Sequence, residues 1–266
     1  LVPFIKWLRR EGRPLESRLQ STRLAHVIWD RPEVPIPLVS AVNFLAEIAA
    51  HEGLPDLGCR VVSDTSLTDI GVMGQTALQG PTVQAGLVSV SRTLHTYCTH
   101  ERMVLEKTPY GGRFLVSFDV PVKPHALHVS LQYTAAMVRL FCLGAGGSNP
   151  VFMRLEIPPH PEFGIDYLRP WFGGEIKAAT GRVMAIDLST AMLTRSIRRP
   201  PTPLASPADE TRPPLVDAGG MEPMVRYLIG TMLAAGVPTA RDLAISSGMS
   251  LRTLQRSLSM AGTSFS

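Results

Sequence analysis

The run Arg198-Arg-Pro-Pro-Thr-Pro-Leu-Ala-Ser-Pro-Ala-Asp-Glu-Thr-Arg-Pro-Pro214 constrains the fold more than any other stretch, because no single core can be threaded through it. It is rich in proline and poor in large apolar side chains, so it favours extended polyproline geometry and serves as a semi-rigid spacer. The chain therefore divides into two units. Residues 1–194 are long enough to bury a sizeable core, residues 195–220 form the linker, and residues 221–266 make a small C-terminal unit.

The C-terminal unit reads as a helix-turn-helix. Pro223 opens a supporting helix through Ala235, with Met224, Tyr227, Leu228 and Met232 on one face, stopped by Gly236 and Pro238. Thr239 caps the next helix with Asp242 in capping-box position, and Leu243, Ala244 and Ser247 make a small inward face. Gly248 suits the left-handed position that ends that helix, and Ser250 is a ready N-cap for the last one. Along this last helix Leu251, Leu254 and Leu258 fall on one stripe, while Arg252, Gln255, Arg256 and Ser259 fall on another; Gly262 ends it. Arginine offers a fork to guanine and glutamine a matched donor and acceptor to adenine, so the polar stripe suits base edges in a major groove. The plain alternative is a helical hairpin whose polar face is merely solvated.

The run Leu243-Ala-Ile-Ser-Ser-Gly-Met-Ser-Leu-Arg-Thr-Leu-Gln-Arg-Ser-Leu-Ser-Met-Ala-Gly-Thr-Ser-Phe265 resembles the first helix-turn-helix of the AraC/XylS family of bacterial transcription regulators. The Gly-Met-Ser turn, the Leu-Gln-Arg centre and the Gly-Thr-Ser-Phe tail carry the likeness. The resemblance implies base contacts by Arg252, Gln255 and Arg256, with Thr253 as a lesser contributor. It also implies double-stranded DNA as the partner, a homodimer, a small-molecule effector, RNA polymerase as a partner if the protein activates, and no cofactor. The family's reading domain has two such motifs joined by a long helix, whereas this sequence stops at Ser266 and starts at Leu1 without methionine, so a fragment or trimmed chain is expected.

The first unit changes periodicity repeatedly. Val2 to Glu11 and Pro14 to Val27 have helical spacing; prolines between Arg31 and Pro37 interrupt it, and Val39, Val42, Leu45, Ala46 and Ala49 restore it. Pro55 to Gly80 reads as packed irregular connections. Pro81 opens an amphipathic helix through Val83, Leu87, Val90, Leu94 and Cys98. Arg102–Thr108 and Arg113–Val120 then flank Pro109-Tyr-Gly-Gly112 as a β-hairpin, with Phe114, Val116 and Phe118 alternating. Pro124 to Leu143 is apolar almost all round and reads as a buried helix. A membrane span is the rival, and His125, His128, Gln132 and Arg139 argue against it.

Val151–Ile157 follows as a strand, Phe163–Trp171 as a short helix, and Gly174–Ala178 with Arg182–Leu188 as a second hairpin. The expected class is α+β: a sensor of helices and an antiparallel sheet, followed by an all-α segment. Its long helices do not fit the cupin barrel of the founding arabinose sensor. The region from Val34 to Leu193 is instead similar to the helix-rich, arabinose-binding-like sensor domains of another branch, through Val34-Pro-Ile-Pro-Leu and Asp69-Ile-Gly-Val-Met-Gly. That label implies no particular sugar.

Enzymatic motifs find little support. His95, Cys98 and His100 lie close in sequence, but Cys98 falls on the apolar stripe and no second ligand pair follows. Gly144-Ala-Gly-Gly-Ser148 follows a helix instead of opening one, as helix termination requires and a phosphate loop does not. His51-Glu52 reads as a solvated helix end, and Asp64, Asp69 and Glu106 are too dispersed for acid/base work. The net charge of +4 is compatible with nucleic acid without requiring it. Three scattered cysteines and no signal peptide fit a reduced cytoplasm. The sequence thus describes a cytoplasmic transcription regulator whose first unit senses an effector or dimerises; a ligand-free interaction module is the alternative.

Overall fold

The computed structural model describes residues 1–22, 24, 36–63, 67, 71–98, 100–197, 221–233, 237–247 and 249–265. The proline-rich linker, Gly236, Gly248 and the first two residues of each family-like phrase, Val34-Pro35 and Asp69-Ile70, lie outside the described residues. Six helices come first: α1 (Val2–Arg10), α2 (Leu15–Ser21), α3 (Leu38–Glu52), α4 (Leu57–Ser63), α5 (Val72–Gln79) and α6 (Val83–Thr93). The hairpin β1 (Glu101–Thr108) and β2 (Gly111–Phe118) follows, then α7 (Pro124–Gly144). β3 (Arg154–Ile157), α8 (Arg169–Phe172), β4 (Glu175–Ala178), β5 (Met184–Ser189) and the single turn α9 (Thr190–Leu193) complete this part.

The class is α+β, with one correction to the expected antiparallel sheet. The strand order is β1-β2-β5-β3-β4, and β3 pairs with β4 in parallel. Parallel neighbours need a crossover of a dozen or more residues. The segment from Pro158 to Gly174, carrying α8, supplies it. β4 and β5 consequently form no hairpin. β5 lies between β2 and β3; its Met184 and Ile186 enter the core, and the small Ala185 between them is buried on the outer face. The stretch after Pro55 differs too: it contains α4 and α5 instead of irregular connections. These are helices of 7 and 8 residues, stabilised by packing more than by propensity.

α7 explains itself by its position. Leu127, Leu131, Ala135 and Phe141 join a core shared with the inner face of the sheet, where Phe114, Val116 and Ile186 are buried. Val129 on another face joins a second core with Phe4, Leu8, Phe44 and Ile48 from α1 and α3. A helix packed on two sides is apolar all round. By length and composition it could also cross a membrane, but most of its apolar stretch is buried here.

Two polar side chains of α7 have no exposed surface, His128 and Gln132. The Nδ1–H of His128 donates to the Pro158 carbonyl at 2.6 Å, which leaves Nε2 to accept from the Tyr167 hydroxyl at 2.5 Å. Gln132 accepts from the Gly58 N–H and donates to the Pro55 carbonyl, each at 2.8 Å. Burial holds the His128 imidazole down to about 4, against the pull of its Pro158 hydrogen bond. Nor is Glu52 a solvated cap: its nearly buried carboxylate receives Arg13 at 3.1 Å and Arg18 at 3.7 Å, tying α2 to α3.

Candidate nucleic-acid interface

α10 (Met221–Met232), α11 (Ala240–Ser246) and α12 (Leu251–Met260) enclose a small core of Val225, Leu228, Met232, Leu243, Ala244, Leu254 and Leu258. The start of α11 is built as the sequence requires. The Thr239 hydroxyl accepts from the Asp242 N–H at 3.2 Å, and the Asp242 carboxylate accepts from the Thr239 N–H at 3.0 Å. This reciprocal capping box satisfies two amides that a helix start otherwise leaves to water. The Met249 N–H donates to the Ala244 carbonyl at 2.8 Å, and Ser250 then caps α12 by accepting from the Thr253 N–H at 3.1 Å.

That cap supports a first prediction. Ser250→Ala is expected to cost about 1 kcal/mol and Ser250→Asp to be nearly neutral, read by thermal unfolding of the C-terminal helices. Equal losses in both variants would deny the cap its role.

Arg252, Thr253, Gln255, Arg256 and Ser259 are all exposed. No hydrogen bond or ion pair to Arg252, Gln255 or Arg256 is made among the described residues. The Thr253 hydroxyl, by contrast, lies 2.8 Å from the Ser250 hydroxyl and belongs to the cap. The ten-residue helix is about 15 Å long, and its four polar positions span about 10 Å along one side. Leu251 departs from expectation. It stands 39% exposed at the first helical position, before the stripe of Leu254 and Leu258 turns inward. Phe265 is a contact the spacing did not announce: it folds back against the small core from beyond Gly262, whose φ of +74° makes the turn.

One open concavity of about 380 Å³ lies between Ser148–Met153 and Ser189–Arg195. Another of about 390 Å³ lies on the outer sheet face between Arg113, Leu115, Glu156 and Lys177. Cys98 is half-buried, and burial pushes its thiol up to about 11, so it stays protonated at neutral pH. His128 and Gln132 were overlooked as a site-forming pair; two polar residues four apart on an otherwise apolar helix were the available signal.

A family model described as the arabinose-binding domain of AraC transcription regulator, N-terminal, matches residues 12–195. Among solved structures, the chain is similar to transcriptional regulator CdpR from Pseudomonas aeruginosa at 19% identity, covering 96% of this chain and 80% of that one, with a TM-score of 0.41. No curated protein matches the chain.

Proposed function

Because the chain belongs to the AraC family of transcription regulators, through an N-terminal domain of the arabinose-binding type, we propose that it is a sequence-specific DNA-binding regulator. Residues 1–194 sense an effector and dimerise, residues 195–220 link, and residues 221–266 read double-stranded DNA as part of a helix-turn-helix domain. The observation that carries this reading is the capped helix α12, which buries Leu254 and Leu258 while leaving Arg252, Gln255 and Arg256 exposed and, among the described residues, without partners. A helix of that width fits the major groove, and those side chains carry the donors and acceptors that base edges match. Thr253 contributes through the cap more than through base contact. The protein works in the cytoplasm without a cofactor or enzymatic step, and RNA polymerase is its further partner where it activates.

Effector binding in the first unit acts on dimer geometry, and so on which half-sites two reading heads can hold together. The open shape of both concavities favours a second reading, in which this unit is a ligand-free dimerisation module. A metabolite thermal-shift screen separates the two, since a ligand that binds only the folded state raises its stability by mass action.

Arg256→Ala, in a protein carrying the intact reading domain, is expected to weaken the selected site by about 1 to 3 kcal/mol and to relax specificity at one position. Binding titrations on selected and random duplexes check this. An equal loss on both would mean phosphate contact, not base readout.

A further inference from the structure

Among the described residues β1 is an edge strand, paired in the sheet with β2 alone. The Asp119 N–H donates to the His100 carbonyl at 2.8 Å, and the register continues from Glu101 opposite Phe118. Hydrogen-bonded and non-hydrogen-bonded pairs alternate along an antiparallel ladder. Arg102, Val104 and Glu106 therefore turn their backbone groups toward β2, while Met103, Leu105 and Lys107 turn theirs to the open edge.

We propose that two copies of the chain meet along this edge, β1 pairing antiparallel with the partner's β1 about a two-fold axis at Val104 and joining two five-stranded sheets into one. This rests on the dimeric reading given above and assigns its surface. The strand is complementary to itself in that register. Glu101 falls opposite the partner's Lys107, Arg102 opposite the partner's Glu106, Met103 opposite the partner's Leu105, and Val104 opposite the partner's Val104. The backbone agrees, because Met103 and Leu105 carry the free edge groups that such a pairing exchanges. A two-residue shift in pairing destroys the match: it sets Arg102 against Val104, or Val104 against Glu106.

The charges are also available. Glu101, Glu106 and Lys107 form no ion pair among the described residues, while Arg102 holds only the exposed Asp119. Val104 is 48% exposed in the middle of the strand, a large apolar side chain that an edge ordinarily avoids. Glu101 is half-buried, and desolvation lifts its carboxyl to about 7; a facing lysine ammonium would favour its ionised form. The opposite edge differs. At β4, Glu175 already holds Arg154 at 2.6 Å and Lys177 at 2.9 Å within the chain.

Sedimentation equilibrium of the full chain tests the proposal, with circular dichroism melts confirming that each variant folds. The wild type is expected to dimerise. Lys107→Glu sets like charges opposite each other twice across the two-fold axis and is expected to weaken the dimer about tenfold or more, and E101K/K107E to restore it. Lys107→Pro, which removes an edge N–H and no bond to β2, is expected to weaken it likewise. A dimer of undiminished strength in both Lys107 variants overturns the edge assignment but keeps the dimeric reading. Failure of E101K/K107E to restore a weakened dimer overturns the pairing register, and a monomeric wild type overturns both assignment and dimer.

Discussion

Gly111→Ala is expected to lower the stability of the first unit by about 3 to 5 kcal/mol, a large fraction of the roughly 5 to 15 kcal/mol that holds a domain folded. Gly111 opens β2 between two partners, Thr108 of β1 and Ser189 of β5. Its φ of +150° is one that L side chains rarely adopt, and an added Cβ would stand 2.1 Å from the Leu188 carbonyl oxygen and 2.7 Å from the Thr190 nitrogen. Those are backbone atoms of β5 and of the first residue of α9, and they cannot swing aside as a side chain can. The strain also falls on the hydrogen bond from the Thr190 N–H to the Tyr110 carbonyl, at 3.0 Å.

Gly112 is the built-in control. A Cβ there meets first the ends of two flexible side chains, Leu193 at 2.9 Å and Leu105 at 3.0 Å, and backbone only at 3.3 Å, the Glu106 carbonyl oxygen, so Gly112→Ala is expected to cost about 1 kcal/mol. Urea titration of both variants decides the matter. Equal midpoints would show that the close approach of β2 to β5 does not limit stability.

Gly111 also shows how far the sequence could be read. Pro109-Tyr-Gly-Gly112 announced a turn, and the alternation of Phe114, Val116 and Phe118 announced which face is buried, because both signals are local. The capping box at Thr239 and the cap at Ser250 were legible for the same reason. The strand on the far side of Gly111 was not. β5 arrives from more than seventy residues away and inserts between β2 and β3, and no spacing within Met184–Ser189 names those neighbours. Periodicity gives the faces of a strand and leaves its partners open. At the candidate DNA surface, the exposed stripe Arg252, Gln255 and Arg256 was legible because solvent exposure follows directly from helical spacing. Leu251 was misread by the same rule, since at a helix's first turn a position on the apolar stripe can lie beyond the end of the core beneath it.

The His128 network is the non-local counterpart inside the first unit, and it makes the second large prediction. Its partners Pro158 and Tyr167 stand 30 and 39 residues away, so no sequence window contains it. Both ring nitrogens are occupied in the neutral tautomer, and the folded state holds the imidazole down to about 4 from an ordinary 6.5. Above pH 6.5 neither folded nor unfolded chain carries the proton, and the full stability is present. As pH falls from 6.5 toward 4 the unfolded chain takes a proton that the folded one refuses, so stability is lost over that window and levels off below it. The loss attributable to this residue is about 3 kcal/mol.

Glu101 works in the opposite sense. Its carboxyl, raised to about 7 from 4.5, keeps a proton in the folded state that the unfolded state releases, so folding gains stability as pH falls from 7 to 4.5. The two contributions overlap and hide each other in the wild type. His128→Asn separates them, because its amide keeps a donor for the Pro158 carbonyl and does not titrate. The difference in unfolding free energy between wild type and His128→Asn is expected to move by about 3 kcal/mol toward the variant between pH 7 and pH 4. Urea unfolding at half-unit steps of pH measures it directly. If the two curves run parallel across that window, the imidazole takes its proton as readily in the fold as out of it, and the link from α7 to Pro158 and Tyr167 is not the closed network that its geometry describes.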